Sequence, residues 1–288
     1  MPTTRLNLFT NHSRSWQGGQ YVYPVISRRS KGLSVGVNLN PDKVCNFDCI
    51  YCCVDRSKPP TTTEVDMRRL RAELDHALIF CATGEIFHRP PFDQTPPDLR
   101  HINDVAFSGD GEPTSFPQFP DACRLAADLL ARHALRHTKI VVITNATLLH
   151  RPAVTAALEF LDTHNGEIWA KLDAGTEAYY RLVDRTSIPL RRVLDNIAAA
   201  GIRRPIVIQS LFMRIHDQPP PDDEIAAYLE RLRTLTANGC RIKLVQVYTT
   251  ARWTTESYVT PLADTEVDAI VATVTALGIP AEGFYGPA

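Results

Sequence analysis

The sequence predicts an α/β protein: a partial, open parallel β/α barrel of about six strand-then-helix units. Three observations carry this expectation. Short β-branched runs alternate with longer amphipathic stretches along the 288 residues. Hydrophobic residues make up 44% of the chain, enough to fill a sizeable core. Polar residues with useful chemistry recur directly after the apolar runs, where parallel α/β folds bind their ligands.

Residues 33–39 read as the first strand, which delivers the chain into a cysteine-rich loop. A helix over about 64–83 follows, with Met67, Leu70, Leu74, Ala77 and Leu78 at core-facing spacing. Pro90, Pro91, Pro96 and Pro97 then mark a long irregular connection. Residues 104–108 form a second strand and 120–134 a second helix. The pattern repeats with a strand at 139–144 and a helix at 151–162. A strand at 167–172 leads to helical pieces at 177–183 and 190–200. A strand at 205–212 precedes a helix at 222–238, which Gly239 stops. A sixth strand at 241–248 and a helix at 264–277 complete the series. Strand-then-helix repetition implies parallel strands joined by right-handed crossovers. The expected organisation is a basic N-terminal arm (1–32), a barrel core (33–250) and a C-terminal loop and helix packing on that core (251–288).

The net charge of −1 gives no overall field toward nucleic acid or membrane. The arm is nevertheless one-sided: Arg5, Arg14, Arg28, Arg29 and Lys31 precede the first acidic residue, Asp42. An anion-binding entrance and a solvated arm are both open readings of it. No apolar run reaches membrane-spanning length, and the first residues lack the apolar stretch of a secretory signal. Seven cysteines, four of them in one loop, argue against a disulfide framework. A reducing cytoplasm is the expected compartment.

The loop itself is Cys45-Asn46-Phe47-Asp48-Cys49-Ile50-Tyr51-Cys52-Cys53. Its C-x3-C-x2-C spacing supplies three thiolates, one fewer than the full set an iron–sulfur cluster normally takes. One iron is then left open, and an open position distinguishes a catalytic metal site from a closed structural one. The competing reading is a zinc site made from Cys45, Cys49, Cys52 and Cys53. Adjacent cysteines serve one tetrahedral centre poorly, and no second cysteine pair is present, since Cys81, Cys123 and Cys240 are isolated. Those three read as small core hydrophobes. After the second strand comes Gly109-Asp110-Gly111-Glu112-Pro113, whose glycines permit a tight turn and close approach by a ligand. Asn145 follows the third strand, Lys171 lies near the end of the fourth and Asp173 follows it, and Gln209 lies within or near the end of the fifth. Asn145 also reads as a turn residue, and Asp173 as a cap for the helix that follows.

The cysteine loop after a first strand, followed by Gly111-Glu112-Pro113 after a second, resembles the radical S-adenosylmethionine (radical SAM) superfamily over roughly residues 33–250. The resemblance implies a [4Fe–4S] cluster held by Cys45, Cys49 and Cys52. The open iron would chelate S-adenosylmethionine, whose reductive cleavage to a 5′-deoxyadenosyl radical starts hydrogen abstraction from a substrate. It further implies S-adenosylmethionine contacts from Tyr51 near the adenine, Gly111 and Glu112 at the methionine ammonium, and Asn145 and Asp173 at the ribose. Lys171 would approach the carboxylate. Asp110 interrupts the family's usual double glycine. The implied partners are a reductant such as a flavodoxin or ferredoxin, and a substrate that is a small molecule, an RNA or a peptide. The enzyme would be oxygen-sensitive.

Residues 23–38, which contain Ser27-Arg28-Arg29, are similar to a little-characterised branch of the superfamily. That branch is loosely related to the tRNA-modifying enzymes that build the wyosine tricycle. Those enzymes are expected to carry another cysteine set ahead of the main loop, and here no cysteine precedes Cys45. No cysteine-rich extension follows the core either, so auxiliary clusters are not expected. Arg252 and Trp253 read either as substrate contacts at the rim or as a clasp closing the fold. The alternative functional classes are a non-catalytic iron–sulfur or zinc-containing RNA-binding module and radical modification of tRNA.

Overall fold

A computed structural model describes residues 16–286. Arg5 and Arg14 of the basic arm lie outside the described residues. The strands are β1 (Val22–Ser27), β2 (Gly32–Val37), β3 (Ile102–Phe107), β4 (Lys139–Thr144), β5 (Gly166–Lys171), β6 (Ile206–Leu211), β7 (Met213–Ile215), β8 (Ile242–Tyr248), β9 (Val259–Pro261) and β10 (Ala281–Phe284). The helices are α1 (Met67–Ala82), α2 (Phe119–Arg132), α3 (Pro152–Asp162), α4 (Glu177–Asp184), α5 (Leu190–Arg203), α6 (Asp222–Ala237) and α7 (Asp264–Thr275). Each of the six expected strands and seven expected helices forms within a few residues of its predicted position. Four strands are additional, and one of them, β1, lies on the segment read as a basic arm.

The chain divides into two compact units. The first takes the N-terminal part to Cys45, Arg56–Ile143 and Arg151–Glu167; the second takes Asn46–Asp55, Thr144–His150 and the chain from Ile168.

In the first unit, β1 pairs antiparallel with β2, while β2–β3 and β3–β4 are parallel. Pro24 sits in β1, opposite Val35, and proline is tolerated there because β1 is an edge strand. The Glu73 carboxylate of α1 accepts the N–H groups of Gln20, Tyr21 and Val22 and so fixes the entry to β1. Asp66 caps α1 by accepting from Arg68 and Arg69. Strand residues Leu33, Val35, Val105, Phe107 and Ile140 are buried, as are Leu70, Leu74, Phe119 and Cys123 on the helices. Each such large side chain contributes about 1.5–3 kcal/mol through burial.

In the second unit, β5–β6, β6–β8 and β8–β10 are parallel, and β7 pairs antiparallel with β9. Phe212 meets Tyr228 of α6 edge-on, with ring centroids 5.1 Å apart. Gly239 does stop α6: its φ of 86° needs a residue without a side-chain penalty, and the Cys240 N–H returns to the Leu235 carbonyl. Among the described residues, no helix is long and apolar enough to cross a membrane.

Candidate functional site

In the second unit, the loop from Asn46 to Cys53 is held by its backbone. The N–H groups of Asp48 and Ile50 donate to the carbonyls of Asp184 and Val183, at 3.1 and 2.9 Å, at the C-terminal end of α4. These carbonyls have no partner within their helix, so the loop satisfies them. The Cys52 N–H donates to the Cys49 carbonyl at 3.0 Å, and the Cys52 carbonyl accepts from Thr255 at 2.8 Å. Phe47 packs edge-on against Tyr180.

The four cysteines of the loop are half-buried and free of disulfides, whereas Cys81, Cys123 and Cys240 are buried. Burial pushes the thiols of Cys81 and Cys240 up to about 12 and about 11, and Cys123 higher still. They are the inert core residues the sequence suggested. Cys49 is also raised, first by burial and then by the Asp184 carboxylate, which its sulfur contacts at 3.3 Å. Among the described residues, no three His, Cys, Asp or Glu side chains are grouped so that they could hold a metal ion, so the structure does not itself bring the three thiols into a ligand set. The ligand assignment rests on the spacing and on the exposure of these thiols.

Tyr51 is buried and donates from its hydroxyl to Asp173 Oδ2. Lys171 Nζ lies 3.2 Å from the same oxygen, 3.0 Å from the Tyr248 hydroxyl and 4.6 Å from the centre of the Tyr51 ring. Burial alone would lower the Lys171 ammonium, but Asp173 and then Tyr248 outweigh it and hold the charged form. Burial, reinforced by Asp173, raises the Tyr51 hydroxyl and keeps it a donor. Asp173 Oδ1 accepts the Leu211 N–H at 2.7 Å. A carboxylate accepts about four hydrogen bonds, so roughly one position on Asp173 stays available. It is not the cap of α4: Thr176 is, accepting from the Tyr179 N–H.

Asn145 donates to Asn46 of the cysteine loop at 2.6 Å, and its oxygen accepts from both the N–H and the hydroxyl of Thr147. It thus closes its own turn and steadies the loop together. Gln209 pairs with Gln246 at 2.7 Å, and strand register sets Lys171, Gln209, Gln246 and Glu282 in one lateral row across β5, β6, β8 and β10.

In the first unit, the turn after β3 is dictated by contact. A Cβ on Gly111 would collide with the Val44 carbonyl, and one on Gly109 with the Asn38 side chain. Asp110, the departure from a double glycine, is held by Asn38: its carboxylate accepts from Asn38 Nδ2 at 2.7 Å and its N–H donates to Asn38 Oδ1 at 3.1 Å. Glu112 is buried rather than solvated, and accepts from the N–H and hydroxyl of Thr114.

The sequence singled out the cysteines, Tyr51, the Gly-Glu turn, Asn145, Lys171, Asp173 and Gln209 as candidates; the structure adds Asn46, Asp184, Arg185, Tyr248 and Thr255 as residues that touch the cysteine loop or the Asp173 network. Only Asn46 carried a signal, as a polar residue inside the cysteine spacing.

No family model matches the chain. A UPF0026 protein of Helicobacter pylori (strain J99) is 26% identical over 218 residues, 73% of this chain and 62% of that protein. The chain therefore spans less than two thirds of the length of this curated relative. A radical SAM methyltransferase from Sphaerobacter thermophilus is similar in structure with a TM-score of 0.60 at 15% identity, covering 94% of this chain and 71% of that one. TYW1 with a lysine–pyruvate adduct bound gives 0.52 at 16% identity, covering 86% and 74%. These likenesses show the fold: the α/β fold of radical SAM enzymes, which is the class the sequence predicted.

Proposed function

We propose that the chain is a radical SAM enzyme in which Cys45, Cys49 and Cys52 hold a [4Fe–4S] cluster. Gly111, Glu112, Tyr51, Asn145 and Asp173 would hold S-adenosylmethionine. One observation carries the reading: C-x3-C-x2-C in the loop that follows a parallel strand, in a chain with the fold of radical SAM enzymes. When bound, the reduced cluster supplies the electron that cleaves the sulfonium and starts radical chemistry on the substrate; the cofactor carries that chemistry.

The chain's own residues bind and orient. Tyr51 is locked by Asp173 and lies under the Lys171 ammonium, which fixes its ring in the cluster of side chains that Cys49 packs against. The remaining acceptor position of Asp173 suits a hydroxyl donor such as a ribose. Glu112, buried and fixed by Thr114, suits an ammonium in a charge-assisted bond. A low-potential reductant such as a flavodoxin or ferredoxin completes the system.

Anaerobic reconstitution tests this. The reading predicts about four irons per chain and, with reductant, release of 5′-deoxyadenosine from S-adenosylmethionine. A loaded cluster that never cleaves the cofactor overturns the enzymatic reading. Zinc uptake in place of iron would favour the binding-module alternative instead.

A further inference from the structure

Arg185 follows the last residue of α4 in the left-handed conformation, with φ 45° and ψ 54°. Helix ends adopt that conformation readily with glycine and reluctantly with a side chain. An arginine is thus a locally unfavourable residue here, and such positions persist where the surroundings over-determine the backbone.

Its contacts supply the surroundings. Nη1 donates to Glu256 Oε1 at 2.5 Å and lies 3.7 Å from Asp48 Oδ2, while Nη2 donates to the Tyr258 hydroxyl at 2.7 Å. Asp48 stands between Cys45 and Cys49 in the chain. Glu256 follows Thr255, whose N–H holds the Cys52 carbonyl. Tyr258 is backed by His216, with ring centroids 4.5 Å apart and planes 17° apart. On the main chain, Val183 and Asp184 receive the loop's N–H groups, and the Thr186 hydroxyl donates to the Asn46 carbonyl at 3.0 Å. Residues 183–186 therefore hold the loop from Asn46 to Ile50. The Arg185 side chain joins that grip to the segment 249–258, which holds Cys52.

We propose that Arg185 is a positioning residue for the ligands Cys49 and Cys52, clamping the cysteine loop between the end of α4 and the segment 249–258. The proposal rests on the cluster reading above. Arg185 acts through Asp48, Glu256 and Tyr258 and needs no contact with iron or cofactor.

A plain helix cap and a clamp differ in what Arg185→Gly does to the bound metal. Glycine relieves the left-handed backbone but removes the contacts to Glu256 and Tyr258, so the thermal midpoint of the cluster-free protein does not separate the two roles. Only the clamp couples residue 185 to the metal. For anaerobically reconstituted Arg185→Gly we expect iron release to a chelator about 10-fold faster or more, the usual cost of losing an outer-shell partner. We also expect a broadened electron paramagnetic resonance line of the reduced cluster. Arg185→Lys, which keeps the charge, should return most of the difference. Glu256→Gln, which leaves the α4 backbone untouched, should shift release in the same direction by less, and it serves if the glycine variant does not fold. A loaded wild type whose release rate and spectrum match those of Arg185→Gly and Glu256→Gln overturns the proposal alone. A wild type that takes up no iron overturns the cluster reading and the proposal with it.

Discussion

The turn at 109–113 and the network around Asp173 both present residues proposed to bind cofactor, but they are built by opposite means. The turn is limited mainly by steric contact with the segment 38–44. Gly109 and Gly111 are there because neighbouring backbone and side chains leave no room for a Cβ, and Glu112 is fixed by a residue two positions away. The network is electrostatic and assembled from distant pieces of chain. Tyr51, Lys171, Asp173, Leu211 and Tyr248 come from the cysteine loop, from β5, β6 and β8, and from the segment just past β5, and meet through one carboxylate and one ammonium. At its glycines a contact-limited turn does not tolerate added size. A buried charge network tolerates neither partner's loss alone.

That contrast sets the order of expected effects. Asp173→Ala should be the most damaging, because it leaves the Lys171 ammonium buried beside two aromatic rings without its counter-ion. Breaking such a pair costs about 3–5 kcal/mol, read by denaturant unfolding of the cluster-free protein. Adding Lys171→Met should recover most of the loss, since an apolar replacement for both charges is often close to neutral. If the double variant is no better than the single one, the network is not the coupled unit described. Gly111→Ala comes next, at about 1–3 kcal/mol from forcing a methyl group against the Val44 carbonyl. An unchanged unfolding midpoint would mean that the turn is not contact-limited.

The smallest effects on stability separate the two sets of cysteines. Cys49→Ala should change the unfolding free energy by about 1 kcal/mol or less, its side chain being only partly withdrawn from solvent, yet abolish iron loading. Cys123→Ala should cost about 1 kcal/mol because its sulfur is core packing, while iron loading stays at the wild-type level. Equal loss of iron from both variants would undo the distinction between ligand and core cysteines.

The same contrast explains what was legible in the sequence. The six parallel strands and the helices between them announce themselves through local apolar periodicity, and the glycines of the turn through local chain chemistry. The additional strands do not. β1 contains Pro24, which reads as a break until its place at the sheet edge is known. β7 and β9 are three residues each, and β10 is four residues, AEGF, with no β-branched side chain. At the site, Asp184 and Arg185 look like an ordinary polar helix end, and Thr255 contributes only its backbone. Their partners lie 71 residues or more away in sequence, so nothing local marks them. Asp173 read equally well as a cap, and only the presence of Thr176 in that role frees it for Tyr51 and Lys171.

The central claim is that three cysteines hold a cluster with one iron open to S-adenosylmethionine. Electron paramagnetic resonance of the anaerobically reduced, reconstituted protein, with and without S-adenosylmethionine, tests it most directly. The account predicts the signal of a reduced [4Fe–4S] cluster whose shape changes when the cofactor is added. A cluster signal indifferent to S-adenosylmethionine, or a reconstituted chain with no such signal, would contradict it.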